Sequence, residues 1–110
     1  MSNDYLGEFE HLVLLAVLQA QPEAYGVPIR DEIERRAGRD VSFGAVYSTL
    51  RRLESKGLVE SERGDPEPVP GGRARKLIRL TTEGVEAVRA SQERIRRMSE
   101  GLGMLDPGVR

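Results

Sequence analysis

Apolar residues recur along this chain at helical steps, then at strand steps, then at helical steps again. Between Leu6 and Gln19, the residues Phe9, Leu12, Val13, Ala16 and Val17 return every three or four positions, and Leu14, Leu15 and Leu18 broaden the face they make. A stripe so wide needs cover on more than one side. This first helix is therefore assigned to the core, with Leu6 and Phe9 offered to a second subunit. Glu8 and Glu10 near its start suit the positive end of the helix dipole. Pro22 to Gly26 reads as a loop. A second helix is predicted from about Val27 to Ala37, with Pro28 in its first turn and Gly38 past its end. Its expected buried positions are Val27, Ile29, Ile33 and Ala37, while the arginines and acids between them face solvent.

A short turn, Gly38-Arg39-Asp40-Val41, leads to Ser42, a predicted N-cap. The third helix places Phe43, Val46, Tyr47, Leu50 and Leu53 on one stripe. Ser42, Ser48, Thr49, Arg51, Arg52 and Ser55 lie opposite. Small hydroxyls mixed with arginines suit the base edges and phosphates of a DNA groove. Gly57 supplies a left-handed cap, and a strand follows over about Leu58 to Arg63. The loop Gly64 to Gly72 contains three prolines, and a second strand spans about Ala74 to Leu80. In that strand Arg75, Leu77 and Arg79 alternate with Lys76, Ile78 and Leu80. Thr81 caps a last helix reaching about Glu100, along which Val85, Val88, Gln92, Ile95, Met98, Leu102 and Leu105 recur at near-heptad steps. That stripe needs a partner, either the same helix or the first helix of a second copy. The predicted fold is mostly α with a small β-hairpin. It comprises a winged helix-turn-helix DNA-binding domain over residues 1–80, then a C-terminal dimerisation helix and tail over 81–110.

The 110 residues suffice for one domain, which buries roughly 60–70% of its unfolded surface at this size. With no cysteine there are no disulfides, thiolate nucleophiles or cysteine-held zinc. The longest apolar run, Leu12 to Leu18, is too short to span a bilayer, and the acidic start MSNDYLGEFEH lacks the basic region of a secretory signal. The expected location is cytoplasmic. A net charge of −1 weighs against a nucleic-acid partner until its distribution is read. Residues 1–40 carry eight acids against four arginines, whereas residues 41–80 carry eight Lys/Arg against five acids. Positive charge thus collects around the third helix and the hairpin. His11 is the single histidine, and the pairs Glu8/Glu10 and Glu32/Glu34 are spaced to point to different helix faces. No Gly-rich phosphate loop follows a strand. The residues therefore predict no catalytic group, metal or cofactor, and no enzyme.

The segments Leu6-Gly7-Glu8-Phe9-Glu10, Ala24-Tyr25-Gly26-Val27-Pro28-Ile29 and Ser42-Phe43-Gly44-Ala45-Val46-Tyr47 carry a family resemblance. So do Leu50, Leu53, Lys56-Gly57-Leu58-Val59 and the run from Gly71-Gly72-Arg73 to Leu80-Thr81-Thr82-Glu83-Gly84. Together they resemble the PadR family of transcriptional regulators over about residues 6–90. The Gly44-x-x-Tyr47-x-x-Leu50-x-x-Leu53 core is fairly specific when joined to Gly57-Leu58-Val59 and the basic strand; either half alone also fits other winged-helix families. The resemblance implies a homodimer on a near-palindromic operator, usually a repressor. It also implies release from DNA when a small hydrophobic or aromatic effector binds. The single C-terminal helix is similar to the short-tailed branch. The chain departs from the pattern at Leu77-Ile78, where members often carry aromatics, and it has no tryptophan for the aromatic drug pocket of some short-tailed members.

Ser42, Gly44, Ala45 and Ser48 are expected to read bases, because recognition helices enter the groove by their first turns. The resemblance implies that the Tyr47 hydroxyl reaches a phosphate; a core tyrosine is the alternative. Arg51 and Arg52 diverge by about 100° on a helix, so at least one meets DNA but not both; a solvated face paired with Glu54 or Ser48 is the other possibility. Arg73, Arg75 and Lys76 form a basic wing for backbone or minor-groove contact, or else ordinary edge-strand charge. The dimerisation set is Leu6, Phe9, Val85, Val88, Gln92, Ile95, Met98 and Leu102. These apolar faces either line an effector pocket or close into a dry interface, and the effector itself is left open. The function these residues imply is sequence-specific DNA-binding regulation. The alternative is a winged-helix protein-interaction module that does not bind DNA, motivated by the net acidity and by Asp65 and Glu67 at the wing tip.

Overall fold

Among the described residues, four helices and one hairpin follow one another in the order α1 (Glu8–Ala20), α2 (Gly26–Ala37), α3 (Phe43–Ser55), β1 (Val59–Pro66), β2 (Ala74–Leu80) and α4 (Thr82–Ser99), closed by a 3-10 turn at Gly103–Leu105. The structure is a computed structural model that describes residues 5–66 and 74–108. The expected winged helix-turn-helix is what the chain forms. α1 is the central helix and packs against α2, α3, α4 and β2. Val13, Leu14 and Val17 from α1, Ile29 from α2 and Val46 and Leu53 from α3 lose all or nearly all contact with solvent. Burial of these branched and aliphatic side chains is the main stabilising term, at about 1.5–3 kcal/mol each.

Local chemistry sets the ends of the elements. Gly7 is extended and its N–H donates to the Glu10 carboxylate at 3.0 Å, so α1 starts at Glu8 rather than Leu6. Gly38, at φ 63°, ends α2. Ser42 caps α3 as predicted, its Oγ accepting from the Ala45 N–H at 3.1 Å. At the other end the Gly57 N–H donates to the Glu54 carbonyl at 2.9 Å, and the Leu58 N–H to the Leu53 carbonyl at 3.0 Å. This is a Schellman closure, and its left-handed residue is Gly57 at φ 77°. Leu58 completes the cap, so β1 begins at Val59 and runs on to Pro66, past the predicted end at Arg63. The rest of the expected loop lies outside the described residues.

The two strands are antiparallel, with Val59 opposite Leu80, Ser61 opposite Ile78 and Arg63 opposite Lys76. The outer edge of β2 is not bare. Its Ile78 N–H donates to the Ala24 carbonyl at 2.7 Å, and its Ile78 carbonyl accepts from Gln21 Nε2 at 2.8 Å. The loop between α1 and α2 thereby docks on the hairpin and fixes it to the helices. On the other side Thr81 caps α4, accepting from the Gly84 N–H and donating its hydroxyl to the Gly57 carbonyl at 2.6 Å. The backbone of Gly84 lies so close to the Leu58 carbonyl that a methyl group there would collide with it.

Several expected burial assignments change, among them Leu18 on the core-assigned face of α1, 43% exposed, and Tyr47 on the α3 stripe, 45% exposed. Val27 is 45% exposed, because it points about 200° away from the buried Ile29. Ala37 is exposed at the last turn, in a run that stays exposed through Asp40. Thr49 was expected on the solvent face but is 2% exposed, since it falls three residues after Val46 and four before Leu53 on the buried stripe. Phe43, assigned to that stripe, sits at its edge and is 38% exposed.

Candidate nucleic-acid interface

The outward face of α3 presents Ser42, Gly44, Ser48 and Arg51 to solvent, with Ala45 half-buried beside them. The capping bond leaves the Ser42 side chain fixed, and Ser48 Oγ donates back to the Ala45 carbonyl at 3.3 Å. Small residues here let a nucleic-acid backbone or base edge come close to the helix. Arg51 makes no ion pair among the described residues.

Arg52 is held differently. Its Nε lies 3.2 Å from Glu10 Oε2, and Lys56 Nζ lies 2.8 Å from the same oxygen. Glu10 is only 7% exposed. Burial works against its charge, but hydrogen bonds from Lys56, from the Gly7 N–H and from Arg52 outweigh that, and its carboxyl stays below the ordinary carboxylate range. A buried acid of α1 thus ties down Arg52 of α3 and Lys56 at its C-cap. The sequence offered Glu54 or Ser48 as partners for the arginines. The partner found is Glu10, which only the packing of α1 on α3 brings near.

Tyr47 is 45% exposed, and its ring and hydroxyl lie against Gly26, where a methyl group would collide with them. The hydroxyl therefore sits at the N-terminal end of α2, where unpaired backbone N–H groups favour an anion. Next to it, Phe43 stacks on Tyr47 with ring centroids 6.4 Å apart, and the Arg30 guanidinium lies 4.6 Å from the Phe43 ring centre. Arg30 is itself anchored, donating Nε to the Val41 carbonyl at 2.7 Å and pairing with Glu34 at 3.0 Å.

On the hairpin the three basic positions separate. Arg75 turns toward the helices: its guanidinium stands 4.7 Å from the Tyr25 ring centre and 3.7 Å from Glu23, and its Nε is buried without a hydrogen-bond partner among the described residues. Lys76 is exposed, with Glu54 at 3.8 Å. Arg73 lies outside the described residues, as does Glu67. The register adds a cation that the sequence reading missed. Arg63 is opposite Lys76, and directly opposed residues share a face of an antiparallel pair. The available signal was the hairpin register itself, which a count of the loop could not fix. Arg79 is taken up by Glu60 at 2.8 Å and Glu62 at 3.8 Å.

The dimerisation set divides likewise. Val88 is buried in the core of the chain, Leu6 and Phe9 are half-buried against that core, Val85 is half-buried, and Gln92, Ile95, Met98 and Leu102 remain exposed. His11 joins α1 to α4 through an Nδ1 contact of 3.1 Å with Ser91 Oγ, and burial pushes its pKa down, keeping it neutral near pH 7. Among the described residues no His/Cys/Asp/Glu group is placed to hold a metal, and no helix is long and apolar enough to cross a membrane.

Comparison with known proteins agrees with this arrangement. The model of the transcriptional regulator PadR-like family matches residues 14–90. Transcriptional regulator Rv3488 of Mycobacterium tuberculosis is 41% identical over 69 residues, which cover 63% of this chain and 60% of that relative's length. A PadR family transcription regulator from Clostridium difficile R20291 superposes with a TM-score of 0.72 at 26% identity, covering 89% of this chain and 97% of the other. For a PadR family regulator from Eggerthella lenta DSM 2243 the values are 0.65 and 29%, with 93% and 88% covered.

Proposed function

The chain belongs to the PadR-like family of transcriptional regulators, which bind DNA, and from that premise we propose that it is a homodimeric, operator-specific repressor released by a small hydrophobic effector. The observation that carries the DNA-reading part is the exposed face of α3, with small residues at its first turn, Arg51 in no ion pair among the described residues and the basic positions Arg63 and Lys76 of the hairpin alongside. Ser42, Gly44, Ala45 and Ser48 approach bases. Tyr47 meets a phosphate at the start of α2. Arg51 rather than Arg52 is the arginine of α3 that contacts DNA, because Arg52 is held by Glu10. Lys76 and Arg63 follow the backbone on the wing, and Arg75 supports it from behind. Such a regulator works in the cytoplasm.

Dimerisation is assigned to the exposed part of the α4 stripe, Gln92, Ile95 and Met98, with Leu102 beyond the helix end and Leu6 and Phe9 at its flank. An apolar seam of that kind is where an effector would enter. Residues 1–80 are read as the DNA-binding unit and 81–110 as the dimerisation helix and tail. An interaction module without DNA binding is not favoured, since the family is one of transcription regulators.

Titration of a labelled duplex by fluorescence anisotropy tests the α3 assignment. Arg51→Glu is expected to weaken binding at least tenfold. Binding as tight as that of the unmodified protein would remove α3 from the interface.

A further inference from the structure

Eight of the ten large apolar residues exposed among the described ones fall into two groups. One, Ile95, Met98, Leu102, Met104 and Leu105, lies at the end of α4 and beyond it. The other is Val27, Phe43 and Tyr47, at 45%, 38% and 45% exposure, around the first turns of α2 and α3. Single exposed apolar side chains need no explanation, but this group sits beside the face assigned to DNA. We propose that Phe43 is a base-reading residue, its ring packing on the 5-methyl group of a thymine in each half-site.

This inference rests on the α3 reading above. At the first turn of α3, Ser42 is engaged in the cap, Gly44 has no side chain and Ala45 offers one methyl. Phe43 is the largest side chain there, and it is apolar. Among base edges in the major groove, only thymine presents a methyl group. The ring is also fixed in advance. The Arg30 guanidinium lies over it at 4.6 Å, Tyr47 stacks on it, and Arg30 is pinned by the Val41 carbonyl and Glu34. A side chain already held in place loses little freedom on binding.

The test begins with the sequence that the unmodified protein enriches from randomised duplex DNA. Each thymine in it is then replaced by deoxyuridine, which removes only the methyl. One thymine per half-site is expected to lose about fourfold in affinity, the worth of one buried methyl-sized group. Phe43→Ala should bind both duplexes equally. Circular dichroism checks the fold, and Phe43→Gln replaces the alanine variant if that one does not fold. Equal losses in variant and unmodified protein, no loss at any position, or an enriched site without thymine would overturn the role of Phe43 and leave DNA reading by α3 intact. Failure to enrich any sequence would overturn that reading and this inference with it.

Discussion

Glu10 lies in the first turn of α1, yet its carboxylate decides which cations of α3 and its C-cap remain for a partner. With Arg52 at 3.2 Å and Lys56 at 2.8 Å, both are drawn toward the protein, and Arg51 stays outward. Glu10→Gln keeps the shape and removes the charge. Because Arg52 and Lys56 are partly exposed, the expected loss is about 1–2 kcal/mol, measured as a shift in urea midpoint at pH 7. The pH dependence has a definite sign. A carboxyl lowered on folding stabilises above its unfolded value of about 4.5, and that contribution disappears as pH falls through the lower folded value. The difference between unmodified protein and Glu10→Gln should therefore shrink below about pH 4.5 and be constant above it. The periodicity of α1 could place Glu10 on a helix but not beside Arg52, since residues 42 positions apart meet only through the packing of two helices.

At the scale of elements, the hairpin and α4 are positioned by backbone contacts. Gly84 approaches the Leu58 carbonyl, so Gly84→Ala must push α4 off the α3–β1 junction. A loss of about 1–3 kcal/mol in thermal or urea unfolding is expected. On the wing, Arg63→Ala with Lys76→Ala should lower the slope of log affinity against log salt by about 2, one for each phosphate contact. An unchanged slope would leave the wing outside the interface. Most of this was legible in the sequence where local chemistry governs: the Ser42 and Thr81 caps, the Gly57 closure and the β2 boundaries all stand as read. Where a partner element decides, it was not. Val27 and Phe43 look like core by spacing, Thr49 looks like surface by polarity, and Arg63 gains its place only from the register opposite Lys76.

For the whole molecule, the chain leaves Ile95 and Met98 uncovered at the far end of α4 and Leu102 uncovered just past it, while Val88 on the helix's stripe is already used in its own core. If that uncovered part is the dimer seam, Ile95→Asp gives monomers by light scattering and loses operator binding, although the protomer fold survives because Ile95 lies outside the core. A dimer that persists would place the seam elsewhere. Two copies joined there would carry two α3 helices, and a dimer that reads successive major grooves sets them about 34 Å apart. The most direct test of this account is selection from randomised duplex DNA at near-physiological salt, with sequencing of the retained fraction. An inverted repeat with half-site centres about 10 base pairs apart is the predicted result. Retention with no enriched sequence, or a single unrepeated half-site, would contradict a dimeric operator reader.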